Sequence, residues 1–135
     1  MSARSETSQL YYRNGNSPDN ARTAMMKRHT MTPAVLHVLL ALHRGPMHGY
    51  AIMKEARSSA GAGVPMGPGT VYGTLDRLLQ SGWIREITPK KSRRRLFEIL
   101  PSGREALEHE AARIERLARL VHDRGVLASE GGGGN

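Results

Sequence analysis

Residues 67–99 read GPGTVYGTLDRLLQSGWIREITPKKSRRRLFEI. Val71, Leu75, Leu78 and Leu79 fall at i, i+4, i+7 and i+8, one helical stripe, so a helix starts near Pro68 or Gly69 and ends at Ser81-Gly82. Thr70, Gly73, Thr74 and Arg77 lie on its other side, with Tyr72 at the border. Trp83–Ile87 and Arg95–Leu100 read as two strands, with Phe97 and Ile99 on one face. The turn between them carries KKSRRR. A helix followed directly by a basic β-hairpin is the pattern of an element that enters a DNA groove beside a wing that grips the backbone.

Upstream, Thr32 is placed to cap a helix, Pro33 suits its first turn, and Gly45-Pro46 ends it. Val35, Leu36, Leu39, Leu40 and Leu42 give that helix a broad apolar face. A shorter helix runs from about His48 to Ser59, with Tyr50, Ile52, Met53 and Ala56 expected to face inward. Residues 61–69, GAGVPMGPG, are a loop by their glycines and prolines. Downstream, a long helix covers about Pro101 to Asp123, about 33 Å at 1.5 Å per residue. One of its sides repeats Leu107, Ala111, Ile114, Leu117 or Ala118, and Val121, while Arg104, Glu108, Arg113, Glu115, Arg116 and Arg119 occupy the others. The fold class is mainly α with a small β-hairpin: a winged helix-turn-helix plus a long C-terminal helix.

The expected organisation is a disordered or loosely ordered arm over 1–23, rich in Ser, Arg and Asn. A winged helix-turn-helix DNA-binding domain follows over 24–100, then a C-terminal dimerisation helix over 101–127 and a flexible glycine-rich tail over 128–135. The chain has 135 residues, 39% hydrophobic and only 4% aromatic, so its core is aliphatic and small. A domain of this size gains from pairing with a second copy. Twenty Lys and Arg stand against 12 Asp and Glu, a formal charge of +8. That excess favours a polyanionic partner, nucleic acid or an acidic membrane surface, unless the surface is merely basic. No cysteine is present, which excludes disulfides and thiolate metal sites. No apolar run reaches the roughly 20 residues of a membrane span, and no signal peptide is visible, so a cytoplasmic location and no membrane partner are expected.

A helix that approaches base edges needs small or polar residues at its N-terminal end. Gly67, Gly69, Thr70, Gly73 and Thr74 meet that need. A glycine inside a helix costs about 1 kcal/mol relative to alanine, so Gly73 either clears space for DNA or packs against a neighbouring helix. Arg77 either reaches a phosphate or guanine edge or pairs with Asp76. Tyr72 either hydrogen-bonds a phosphate or sits as an amphipathic rim residue. Lys90, Lys91, Arg93, Arg94 and Arg95 repel one another unless bathed in water or set beside an anion; next to the helix they read as backbone contacts that weaken steeply with salt. The stripe on the last helix has too few partners within one chain, so Leu107, Ala111, Ile114, Leu117, Ala118 and Val121 read as a dimer interface. A two-fold dimer sets its two reading helices roughly 34 Å apart and demands a palindromic site.

These residues closely resemble the PadR family of bacterial transcriptional regulators. The match opens at Leu39-Leu40 and HRGPMHGYAIMKE (43–55), continues through GTVYGTLDRLLQSGWIRE (69–86) and the basic wing, and takes in Gly103-Arg104 and Leu107. The resemblance implies a dimeric repressor on a palindromic operator, released by a small aromatic effector. It also implies DNA contacts from Tyr50, Thr70, Tyr72, Thr74 and the wing. With one long helix at its end, the chain looks like the short subgroup. It departs from the pattern at Gly73, where proline is usual, and at Leu96-Phe97, where an aromatic pair is common. It departs again at Leu100, where a capping threonine is usual; Ser102 is the alternative cap one turn later. Trp83 replaces a smaller aliphatic and either lines an effector pocket or anchors the core.

The DNA-binding set expected from residues and resemblance together is Tyr50, Gly69, Thr70, Tyr72, Gly73, Thr74, Arg77, Lys90, Lys91, Arg93, Arg94 and Arg95. Double-stranded DNA, a second copy of the chain and a small aromatic effector are the expected partners. A non-specific architectural DNA binder and a winged-helix protein-interaction module are the alternatives. An enzyme is not indicated: the six histidines form no ligand pair with a carboxylate at helical spacing, and 61–69 lacks the Lys-Ser/Thr of a phosphate loop. No cofactor and no metal are expected.

Overall fold

The computed structural model describes residues 31–127. The arm expected over 1–23 and the tail expected over 128–135 lie outside the described residues. In chain order the elements are α1 (Pro33–His43), β1 (Met47–His48), α2 (Gly49–Ala60), α3 (Pro68–Ser81), β2 (Ile84–Glu86), β3 (Leu96–Ile99) and α4 (Pro101–Asp123).

Each helix begins for a readable reason. Thr32 caps α1, its Oγ1 accepting from the Val35 amide at 3.1 Å, and Pro33 supplies a preset φ where no amide is needed. α3 ends at Gly82, whose φ of 78° is left-handed, with the Trp83 amide reaching back to the Leu78 carbonyl. That turn sends the chain straight into β2. α4 opens at Pro101 without a side-chain cap on Leu100. Ser102 does not cap it; its hydroxyl donates to the Gly82 carbonyl at 2.6 Å.

The hairpin is part of a three-stranded antiparallel sheet of order β1-β3-β2. Met47 pairs with Phe97 and His48 with Leu96, while Ile84, Arg85 and Glu86 pair with Ile99, Glu98 and Phe97. The third strand escapes a sequence reading because two residues show no period, and His48 then reads as a helix start. The Leu100 amide donates to the Trp83 carbonyl, extending the pairing one step.

The core joins α1, α2, α3, the sheet and the first turns of α4. Val38, Leu39, Ile52, Val71, Leu75 and Phe97 are fully excluded from water. α4 enters this core through Ala106 and Leu107. Gly103 makes that approach feasible, because a Cβ there collides with the Trp83 carbonyl backbone. From Ala111 onward every residue of α4 is exposed except the half-buried Val121.

Candidate nucleic-acid interface

Three segments meet at the start of α2. The Gly49 amide and His48 Nδ1 both donate to the Arg95 carbonyl, each at 3.3 Å, so the descending arm of the wing is fastened to the helix start. The Tyr72 ring of α3 lies across Gly49: a Cβ at Gly49 falls 2.7 Å from the Tyr72 hydroxyl and 2.9 Å from Cε1. Gly49 is therefore a contact glycine, which a sequence reading passes over because it sits in an ordinary helix-opening position.

The wing has its own internal lock. Arg95 forks onto Glu86, Nε to Oε2 at 3.1 Å and Nη2 to Oε1 at 2.9 Å. Thr88 donates to the same carboxylate at 2.6 Å, and its oxygen accepts from the Leu96 amide at 2.9 Å. The Arg95 hydrogen bonds, then that of Thr88, hold the Glu86 carboxyl below the usual glutamate range. Hydrogen bonding to Glu86, aided by the charges of Glu86 and Asp76, raises Arg95 above its ordinary value. Arg95 also lies over the Phe97 ring, 5.0 Å from its centroid. Beyond this lock the tip turns through Pro89-Lys90-Lys91-Ser92, closed by the Ser92 amide on the Pro89 carbonyl at 3.0 Å. Lys90, Lys91, Arg93 and Arg94 are exposed, and none forms an ion pair with a described residue. Of the five wing cations expected to meet DNA, four are uncommitted and Arg95 is partly spent on the wing itself.

On α3 the exposed side carries Gly69, Thr70, Tyr72, Asp76 and Arg77, with Gly73 half-buried among them. A Cβ added at Gly73 meets no atom within 4 Å, so helix packing does not require this glycine. Thr74 is a correction. It is 0% exposed, lying between Val71 and Leu78 on the buried stripe, and its hydroxyl accepts from Arg77 Nη2 at 3.3 Å. Its side chain supports Arg77 from below and lies on the buried side of α3, opposite to the side its residue type suggests. Arg77 makes that bond and forms no ion pair with Asp76, the alternative to a DNA contact. Tyr50, expected to face inward in the helical pattern, is 61% exposed.

The expected dimer stripe divides in two. Leu107 belongs to the domain's own core. Ala111 and Ala118 are exposed, Val121 is half-buried, and Ile114 and Leu117 are 38% and 48% exposed. Leu120, absent from the expected set, adds to this face at 44%. Trp83 is packed in the core at 6% exposure. A cleft of about 460 Å3 is lined elsewhere, by residues between Arg57 and Gly67.

Comparison with known proteins agrees with this geometry. Residues 36–109 match the transcriptional regulator PadR-like family. Over 93 residues the chain is 42% identical to an uncharacterized 37.1 kDa protein in a transposon of Streptomyces fradiae; the match covers 69% of this chain and 26% of that protein. The chain thus spans about a quarter of that relative's length. A PadR family transcription regulator from Clostridium difficile shares the fold at a TM-score of 0.60 and 18% identity, over 68% of this chain and 97% of that one. A transcriptional regulator from Clostridium thermocellum does so at 0.57 and 22%, over 67% and 87%. The S. aureus MepR protein, in its complex with DNA, does so at 0.58 and 14%, over 95% and 100%. At these identities the solved structures establish the shared fold.

Proposed function

The chain belongs to the PadR-like family of DNA-binding transcriptional regulators, and from that premise we propose that it is a homodimeric repressor acting in the cytoplasm on a palindromic operator. The observation that carries the reading is the fastening of the wing root, the start of α2 and Tyr72 of α3 into one unit, with four uncommitted cations beside it. Residues 24–100 form the DNA-binding domain. Within it Gly69, Thr70, Tyr72, Gly73 and Arg77 face the groove, while Tyr50, Lys90, Lys91, Arg93 and Arg94 meet phosphates. Arg95 holds the wing's shape and lends part of its charge. Residues 101–127 join two copies through Ala111, Ile114, Leu117, Ala118 and Val121. Among the described residues no helix is long and apolar enough to cross a membrane.

Release by a small aromatic effector completes the proposal. With Trp83 packed inside one copy, the pocket is assigned to the junction where a second copy meets α4. Trp83 is the chain's sole tryptophan, so a change in its fluorescence on adding an aromatic compound is the readout.

The test is a footprint and an affinity comparison on DNA flanking the gene that encodes this chain. A protected inverted repeat, bound with an affinity at least about a thousandfold above that for random duplex, is the expected result. Equal affinity for both at physiological salt removes the sequence-specific reading and leaves a non-specific binder.

A further inference from the structure

The two flanks of α2 are sorted by charge. The flank toward α1 holds Glu55, whose carboxylate pairs with Arg44 at 2.8 Å, and Ser59, whose hydroxyl bonds His37 Nδ1 at 2.7 Å. Glu55 is the one acid of the helix. The other flank carries Tyr50, Lys54 and Arg57 at i, i+4 and i+7, all exposed. Lys54 Nζ lies 5.7 Å from the centroid of the Tyr50 ring, which orients the ammonium along the helix. Arg57 reaches the cleft where the end of α2 meets Met66 and Gly67, the entry to α3. The opposite end of the stripe adjoins Gly49, where the wing root and Tyr72 are fastened. The stripe therefore runs for about 10 Å, at 1.5 Å per residue, from the root of the wing to the start of the reading helix. Neither cation forms an ion pair with a described residue.

We propose that Lys54 and Arg57 form a second backbone-binding track, each neutralising a DNA phosphate, with Tyr50 positioning Lys54. The track rests on the placement of DNA against α3 and the wing given above. It adds affinity and register and reads no bases, because flexible cations on phosphates carry no sequence information. Its signature is the release of counterions.

The test uses the full chain and a mixed-sequence duplex, titrated at several salt concentrations. Lys54→Gln with Arg57→Gln should make the slope of log affinity against log salt shallower by about two for each subunit on the duplex, hence by about four for a bound dimer, at about 0.9 per phosphate. Lys54→Arg with Arg57→Lys should restore it, and thermal melting should show the first pair as well folded as the parent. An unchanged slope in the Gln pair overturns the track. The wing variant Lys90→Gln with Lys91→Gln separates the causes. If it flattens the slope while the α2 pair does not, the track alone fails; if neither variant does and the parent shows no salt dependence, the placement of DNA fails with it.

Discussion

Gly73 separates the demands of folding from those of function at one residue. Space for a methyl group is free there, and a helical alanine is worth about 1 kcal/mol over glycine. Gly73→Ala should therefore raise the stability by up to about 1 kcal/mol, read as a higher thermal midpoint, and weaken operator binding where the helix backbone meets base edges. A variant that is more stable and binds as before would mean the glycine serves neither purpose. Gly103 makes the contrast: its Cβ meets the Trp83 backbone, which cannot swing aside, so Gly103→Ala should cost on the order of 1–3 kcal/mol. Thr74 shows how a residue's type misleads. Val71, Thr74 and Leu78 are spaced i, i+3 and i+7, a stripe in their own right, but a polar side chain reads as outward. Burial of its methyl, with the hydroxyl bonded to Arg77, satisfies both halves of the residue. The six-residue run KKSRRR misleads in the other direction. It displays five cations equally, and only the pairing of Glu86 opposite Phe97 brings the carboxylate to Arg95.

At the scale of elements, the wing is a hairpin whose shape depends on one carboxylate. The Glu86 pKa is lowered in the folded chain from an ordinary value of about 4.5. A lowered carboxyl stabilises the fold above the unfolded value, and that contribution disappears as pH falls through the folded one. The wing should hence loosen below about pH 4.5, which is the unfolded reference. Glu86→Gln should remove this dependence from the acid side of a thermal-midpoint-against-pH profile; an unaltered profile would deny the lock. Charge at the tip is a separate matter. Lys90→Glu with Arg94→Glu leaves Arg95 on Glu86 and should weaken binding to every duplex, with a flatter salt slope. Arg95→Glu sets two carboxylates together and should disturb the wing's shape as well as its charge. The helices and the two main strands were legible within a residue or two, since each carries its own period and its own stop at glycine or proline. β1 and the fastening of the wing to Gly49 were not, because both arise from contacts made nearly fifty residues apart in sequence.

For the whole molecule, the question is what covers the outer part of α4. Ile114, Leu117 and Leu120 are each between 38% and 48% exposed. Complete burial of such side chains is worth about 1.5–3 kcal/mol each relative to full exposure, so covering what remains of each gives about 1 kcal/mol. Three per copy in a two-fold contact come to about 6 kcal/mol before Ala111, Ala118 and Val121 are added. A micromolar complex needs about 8 kcal/mol net, and association costs must also be met. Even with both copies contributing, as a two-fold contact requires, the stripe falls short of that sum, so it is one part of an interface that needs further contacts. Leu117→Glu inserts two like charges near that axis and should yield a monomer by sedimentation. Because one copy then holds one half-site, its operator affinity should fall by about 100-fold or more, while binding to a single half-site stays near that of one parent subunit. Leu107→Ala distinguishes core from interface on the same helix. Leu107 is 4% exposed within its own domain, so its truncation should lower the unfolding free energy by about 2–5 kcal/mol and leave the sedimenting mass unchanged below the melting transition. A dimeric Leu117→Glu protein would place the interface away from the outer part of α4, whereas a monomeric parent would remove the dimer and with it any fixed separation of two reading helices.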